Sequence, residues 1–239
     1  MRKKLTALLL AALLTLSLAG CGSQNDPQAG GDVTPGTTDA AAAGQVQTPD
    51  PADTDGEAIP DLGTVNGGTY TNAYANIACT LDDSWIFYTE EEIAELNGLV
   101  LDSTSDDQLR KMLEENASIQ DMYASSTDGL MTINVVFQNL GLVRSAALSL
   151  QEYAELAAEQ VPGMMETFGY SDITAKIAAV DFAGLKNQPA LALTATVEDV
   201  PMYELQVYVK VDTYVYSITL CSFVEDVTAD MAALFTAAQ

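Results

Sequence analysis

The order of apolar and polar positions from residue 69 onward predicts strands that alternate with capped helices. Residues 74–81 alternate between apolar and polar side chains, which is the two-residue period of a half-buried strand. The segment Thr89–Glu92 has the spacing of a capping box and predicts a helix that begins at Thr89. A second capping box, Ser149–Glu152, predicts another helix, which we expect Pro162 to end or kink.

Short connections between the strand patterns favour antiparallel pairing. Asp128-Gly129 separates two apolar runs, which is a strong hairpin signal. The last third of the chain is rich in strands, predicted at about residues 173–182, 190–198, 202–211 and 214–222. Parallel neighbours would need long crossover connections, and none separates these strands. The sequence therefore predicts an α+β domain with a mainly antiparallel β-sheet flanked by helices.

Cys79 and Cys221 are expected to remain unpaired. Cys79 shares strand parity with Ile77 and should face the main core, whereas Cys221 has the parity opposite to Ile218. If both strands belong to one sheet, the two thiols lie on opposite faces, and a disulfide needs converging Cβ atoms. Export to an oxidising compartment keeps the bridged alternative open.

A few aromatic and small residues carry a family resemblance. They are Trp85 after an early strand, the acidic helix of residues 89–97, and the late series Gly184, Pro189-Ala190-Leu191, Tyr203, Val207, Tyr214 and Ile218. This order over roughly residues 69–239 resembles the PsbP-like α/β/α sandwich. The resemblance implies a binding or assembly module. Because this chain has no His and few basic residues, no metal or partner site of the family carries over to it.

The first 21 residues have the layout of an export signal. Arg2-Lys3-Lys4 is followed by an apolar run over residues 5–16, which is too short to span a membrane. Residues 18–21, Leu-Ala-Gly-Cys, resemble the lipobox of bacterial lipoproteins. The resemblance implies cleavage between Gly20 and Cys21, acyl chains on Cys21, and attachment to the extracytoplasmic face of the cell membrane. An ordinary secretory signal that happens to contain a cysteine is the alternative.

Composition divides the rest of the chain into a tether and a domain. After the signal peptide of residues 1–20, residues 21–66 are rich in small and acidic residues and are poor in large apolar ones. Such a segment cannot bury enough surface to offset its ordering entropy. We therefore expect a lipid-anchored, disordered acidic tether over residues 21–66 and a globular domain over residues 67–239.

Charge and the absence of histidine narrow the classes of function. The chain carries 9 Lys and Arg against 34 Asp and Glu, a net charge of −25, and no His. A strongly acidic protein is not expected to bind nucleic acid, which requires a basic face. Without His the chain lacks the commonest general base and metal ligand. We expect no catalytic residue, no metal and no cofactor.

The leading functional hypothesis is a non-enzymatic binding or assembly domain in the cell envelope. Tyr208, Tyr214 and Tyr216 cluster on the last predicted hairpin. They are candidates for a surface that binds an envelope protein, a peptide or a glycan, because tyrosine offers contact area and a polar tip. Packing within the sheet is the alternative for these rings. The alternative functions are a carboxylate-dependent hydrolase that acts on cell-wall glycans and a spacer without a ligand.

Overall fold

A computed structural model describes residues 60–99, 105–114 and 118–238. The expected signal peptide, Cys21 and the tether as far as residue 59 lie outside the described residues. Within the described residues, no helix is both long and apolar enough to cross a membrane.

Strands dominate this part of the chain. The strands are β1 (Thr64–Asn66), β2 (Thr69–Asn72), β3 (Ile77–Thr80), β4 (Trp85–Phe87), β5 (Ser118–Ser126), β6 (Met131–Asn139), β7 (Ser171–Phe182), β8 (Leu185–Val197), β9 (Val200–Val211), β10 (Tyr214–Ser222) and β11 (Phe235–Thr236). The helices are α1 (Glu90–Leu96), α2 (Ser105–Glu114), α3 (Gly141–Ala147), α4 (Leu150–Thr167) and α5 (Thr228–Ala232). The predicted α+β class is confirmed.

Hairpins build the larger sheet. Its seven strands have the order β4-β5-β6-β10-β9-β8-β7, and every neighbouring pair is antiparallel. The predicted turn between β5 and β6 contains Gly129 at φ 74°, a backbone conformation that glycine adopts without strain. The predicted antiparallel sheet is therefore present, and its strands run from Trp85 to Ser222.

A smaller sheet of four strands lies against one face of the larger one. Its order is β1-β2-β3-β11. The Phe235 ring contacts the Phe182 ring at 4.8 Å, and the Tyr74 ring contacts the Tyr214 ring at 5.8 Å. Strand β1, Thr64–Asn66, lies in the segment that the sequence analysis assigned to the end of the tether. Regular structure therefore begins before residue 67.

Helix α4 covers the opposite face of the larger sheet. Helix α4 packs on β7, β8 and β9, and α1 and α2 contact β5. Both predicted capping boxes are present, Thr89–Glu92 at α1 and Ser149–Glu152 at α4. Helix α4 continues past Pro162 to Thr167. The buried stripe that includes Val161 and Met165 packs on the sheet, and this packing favours the helical path beyond the proline.

Both domain cysteines are free and buried. The prediction that they are unpaired is confirmed, although the two strands belong to different sheets. Cys79 lies in β3 of the smaller sheet, and Cys221 lies in β10 beneath α4. Burial raises the pKa of the Cys79 thiol to about 12 and raises that of Cys221 well above its ordinary value.

Candidate functional site

The edge of the larger sheet is incomplete beside β5. Strand β4 has three residues and β5 has nine, so β4 pairs only with the segment Ala124–Ser126 of β5. Farther along β5, the side chain of Asn97 replaces a neighbouring strand. Its Nδ2 donates to the Gln120 carbonyl, and the Gln120 N–H donates to its Oδ1, both at 2.8 Å. Between β4 and Asn97, β5 has no neighbouring strand on the edge that faces away from β6.

A β-bulge lies in this gap. The register of β5 against β6 shifts between Gln120 and Met122, which leaves Asp121 as the extra residue. A bulge of this kind redirects a side chain. The Asp121 side chain forms hydrogen bonds with residues of the smaller sheet and the chain that leads into it, and Asp121 is only 5% exposed.

Three neutral groups donate hydrogen bonds to the Asp121 carboxylate. Gly63 N–H donates to Oδ1 at 2.6 Å, while the Tyr70 hydroxyl and Asn72 Nδ2 donate to Oδ2 at 2.5 and 2.7 Å. Burial raises the pKa of Asp121, and the three hydrogen bonds act in the opposite direction. Among the described residues, no cation accompanies this carboxylate.

Glycine is required where the chain passes over Tyr70. A Cβ atom on Gly63 would lie 2.2 Å from Cε2 of the Tyr70 ring. This close approach places the Gly63 N–H within reach of Asp121 while the Tyr70 hydroxyl binds the other oxygen. Gly63, Tyr70 and Asn72 therefore hold the start of the domain against the bulge.

A cavity of about 440 Å³ borders the bulge, and we call it the edge cavity. Its walls come from the chain entering β1, the β4–α1 connection, α1 and α2. The apolar residues of its lining are Leu62, Val65, Phe87, Tyr88, Ile93, Ala94, Leu99, Leu109 and Met122. Gly63, Thr64, Thr89, Glu90 and Asp121 complete the lining. Its volume falls in the range of about 300–1,000 Å³ that is typical of small-molecule sites.

The tyrosines proposed as a ligand surface are buried. Tyr208, Tyr214 and Tyr216 are 1%, 2% and 0% exposed. Tyr208 pairs in register with Ser217, so it lies on the opposite face of the sheet from Tyr214 and Tyr216. Tyr208 packs against a ring of α4, whereas the other two pack against Phe137. The three rings cannot form one ligand surface, and their positions match the packing alternative.

A second carboxylate is buried away from the edge cavity. Glu204 on β9 is 4% exposed and accepts a hydrogen bond from Gln206 Nε2 at 2.6 Å. Burial raises its pKa to about 7. It pairs in register with Cys221, a member of the core beneath α4. Glu204 is enclosed by this core and does not border the cavity.

Most other acidic groups of the described chain lie on exposed positions. Glu90 and Glu91 are exposed in the first turn of α1, where negative charge favours a helix, and Glu92 closes the capping box. In the part of the chain that the structure describes, no group of three or more Cys, Asp or Glu side chains could hold a metal ion.

Comparisons with known proteins show a likeness to solved structures. No model of a known protein family matches the sequence, and no curated protein matches it. Among solved structures, the chain is similar to the solution structure of the cyanobacterial PsbP protein CyanoP from Synechocystis sp. PCC 6803. The two chains are 12% identical with a TM-score of 0.40, and the likeness covers 78% of this chain and 98% of the other. It assigns no role to any residue.

Proposed function

We propose that this chain is a lipid-anchored extracytoplasmic protein whose domain binds a small ligand in the edge cavity. The observation that carries the proposal is a cavity of about 440 Å³ with mostly apolar walls and one buried carboxylate, Asp121. Small-molecule sites combine an apolar lining with a few placed polar groups in this way. The proposal replaces the tyrosine surface with a site beside the β-bulge of β5.

The geometry of Asp121 supports binding rather than catalysis. A general acid or base must exchange a proton with its substrate within hydrogen-bond distance. Three donors from the protein fix the Asp121 carboxylate in place, two on Oδ2 and one on Oδ1, and leave one position on Oδ1 for a donor from a ligand. The other carboxylate of the lining, Glu90, is exposed at the start of α1. An enclosed carboxylate that is fixed by three donors is suited to orienting a ligand.

Filling the cavity tests the proposed site. Ala94 is buried in α1 and borders the cavity, so Ala94→Leu should occupy part of its volume. Ala146→Leu makes the same substitution at an exposed position of α3 and serves as the control. A set of small apolar compounds is added to the full-length protein, and the methyl resonance of Met122 is followed by NMR. The proposal predicts binding that Ala94→Leu weakens and Ala146→Leu preserves. Equal binding by Ala94→Leu would place the ligand elsewhere.

The sequence supports the anchor through the basic start, the short apolar run and the Gly20-Cys21 cleavage motif. Cys21→Ser removes the acceptor of the acyl chains, so the variant should leave the membrane fraction or keep its signal peptide. Ser23→Ala, two residues away, should fractionate as the wild type does. Normal processing and membrane recovery of Cys21→Ser would contradict the anchor.

A further inference from the structure

We infer that the edge cavity binds an amphipathic amine, with its ammonium group at Asp121 and its apolar body against the cavity walls. This inference rests on the proposed binding function and specifies the chemistry of the ligand. It is carried by the charges of the lining, the hydrogen bonds of Asp121 and the apolar surface beside them.

The charges of the lining disfavour an anionic ligand. Asp121 and Glu90 border the cavity, and its described lining contains no Lys or Arg. The whole chain has a net charge of −25, so the long-range field also repels anions. A fatty acid or a phosphate ester would enter without a counter-charge, whereas a cation would be attracted by the carboxylates of the lining.

The hydrogen bonds of Asp121 leave a position for a charged donor. An ionised carboxylate offers about four lone-pair sites, and three donors occupy Asp121. Gly63 N–H alone binds Oδ1, so the open position is on that oxygen. All three donors are neutral, so an ammonium group would supply the missing opposite charge. Charge-assisted hydrogen bonds are shorter and about twice as strong as neutral ones.

The cavity walls require an apolar body on the same molecule. Ile93, Leu109 and Met122 border the cavity and are at most 8% exposed. A free metal ion or a polyamine would leave these walls without a partner, whereas a hydrocarbon chain or ring would bury apolar surface against them. A neutral hydrocarbon would fill the walls and leave Asp121 without a counter-charge. An amphipathic monoamine satisfies both parts of the site.

Three probes of equal chain length separate these cases. Octylamine, octanol and octanoate are titrated into the full-length protein carrying Cys21→Ser. The titrations are done at pH 7.5, where an alkylamine is protonated. The methyl resonance of Met122 reports the edge cavity, and that of Met202, which lies in the core beneath α4, reports binding elsewhere. Octylamine should bind at least about ten-fold more tightly than octanol, because both can donate a hydrogen bond to Asp121 but only the ammonium group brings an opposite charge to the buried carboxylate. Octanoate should bind most weakly.

Neighbouring glutamates provide a matched pair of charge variants. Glu90 borders the cavity, whereas Glu91 does not, and both are exposed in the first turn of α1. Glu90→Gln should weaken octylamine binding about two- to five-fold, the range for an exposed ion pair, while Glu91→Gln has a smaller effect at the same net charge. Asp121→Asn should reduce the preference for octylamine over octanol to less than about three-fold. Asp121→Asn also perturbs buried hydrogen bonds and could prevent the variant from folding. The comparison of Glu90→Gln with Glu91→Gln changes only exposed side chains and tests the inference independently.

The outcomes distinguish the inference from the proposed function. Equal binding of octylamine and octanol at Met122 would overturn the amine inference and leave the cavity as a binding site. Tightest binding of octanoate would do the same. Equal effects of Glu90→Gln and Glu91→Gln on octylamine binding would show that only the net charge of the protein matters. That result would also refute the amine inference. If none of the three probes shifts the Met122 resonance and Ala94→Leu changes no binding, the cavity proposal fails together with the inference.

Discussion

The buried carboxylate of Glu204 makes a quantitative prediction about stability. Glu204 accepts one hydrogen bond, from Gln206 Nε2, and Gln206 in turn accepts one from the Tyr208 hydroxyl at 2.8 Å. Burial raises the pKa of Glu204 from its ordinary value of 4.5 to about 7, and the Gln206 hydrogen bond acts in the opposite direction. The titratable groups that face it are Cys221, Tyr170 and Tyr208. None of them carries a positive charge.

The sign of the effect follows from proton binding. The folded state holds the Glu204 proton more tightly than the unfolded state, so protonation favours folding. The contribution is full below pH 4.5 and is lost as the pH rises through about 7. The two pKa values differ by about 2.5, which at ~1.36 kcal/mol per pH unit corresponds to about 3 kcal/mol of unfolding free energy.

Glu204→Gln isolates this contribution, because the amide imitates the protonated carboxyl group. At pH 4.5 the variant and the wild type should have similar unfolding free energies. At pH 8 the variant should be more stable by up to about 3 kcal/mol, because the wild type then keeps a buried charge without a counter-ion. Urea unfolding between pH 4.5 and 8 measures the difference, with Glu159→Gln on the exposed side of α4 as the control. Parallel pH profiles for wild type and Glu204→Gln would refute the reasoning.

Three further predictions concern local packing. Gly63→Ala should lower the unfolding free energy by about 1–3 kcal/mol, because its methyl group would clash with the buried Tyr70 ring. Gly163→Ala should raise the unfolding free energy by up to about 1 kcal/mol, because Gly163 has open space around it in α4. Changes of the same sign in urea unfolding of the two variants would contradict this reasoning. Ser149→Ala removes the side-chain cap of α4 and should cost about 1 kcal/mol, again measured with urea; no loss would mean that the cap is dispensable. Cys79 and Cys221 should react with a thiol reagent only after unfolding, since both are buried with raised pKa values, and rapid labelling of the native protein would show otherwise.

Local signals predicted the parts of the fold that depend on neighbours in sequence. The capping boxes at Thr89–Glu92 and Ser149–Glu152 are present because each uses residues three apart. The turn at Gly129 joins β5 and β6 for the same reason. The sequence did not show that β3 and β10 belong to different sheets, since strand parity gives the face of a residue and not the identity of the sheet.

The edge cavity depends on contacts that are distant in sequence. Gly63 and Asp121 meet across 58 residues, and the bulge that redirects Asp121 exists only relative to its partner strand β6. One signal was available in the sequence: Asp121 lies between Ile119 and Met122 in the run before the Asp128-Gly129 turn, where burial of a charge without a partner would be costly. The predicted tyrosine surface does not form, because Tyr208 and Tyr214 are close in sequence but lie on opposite faces of the sheet.

The two buried carboxylates differ in ways that separate a site from a core position. Asp121 has three donors, including a backbone N–H, and borders an open cavity, whereas Glu204 has one donor and lies among apolar side chains. Because Asp121 borders the cavity, the proposed ligand would contact it without unfolding of the sheet, and its carboxyl group is already held in place by hydrogen bonds. Reaching Glu204 would require α4 to leave β9. Depth of burial therefore does not distinguish the two carboxylates; the number of donors and the adjoining space are the observations that favour Asp121 as part of the proposed site.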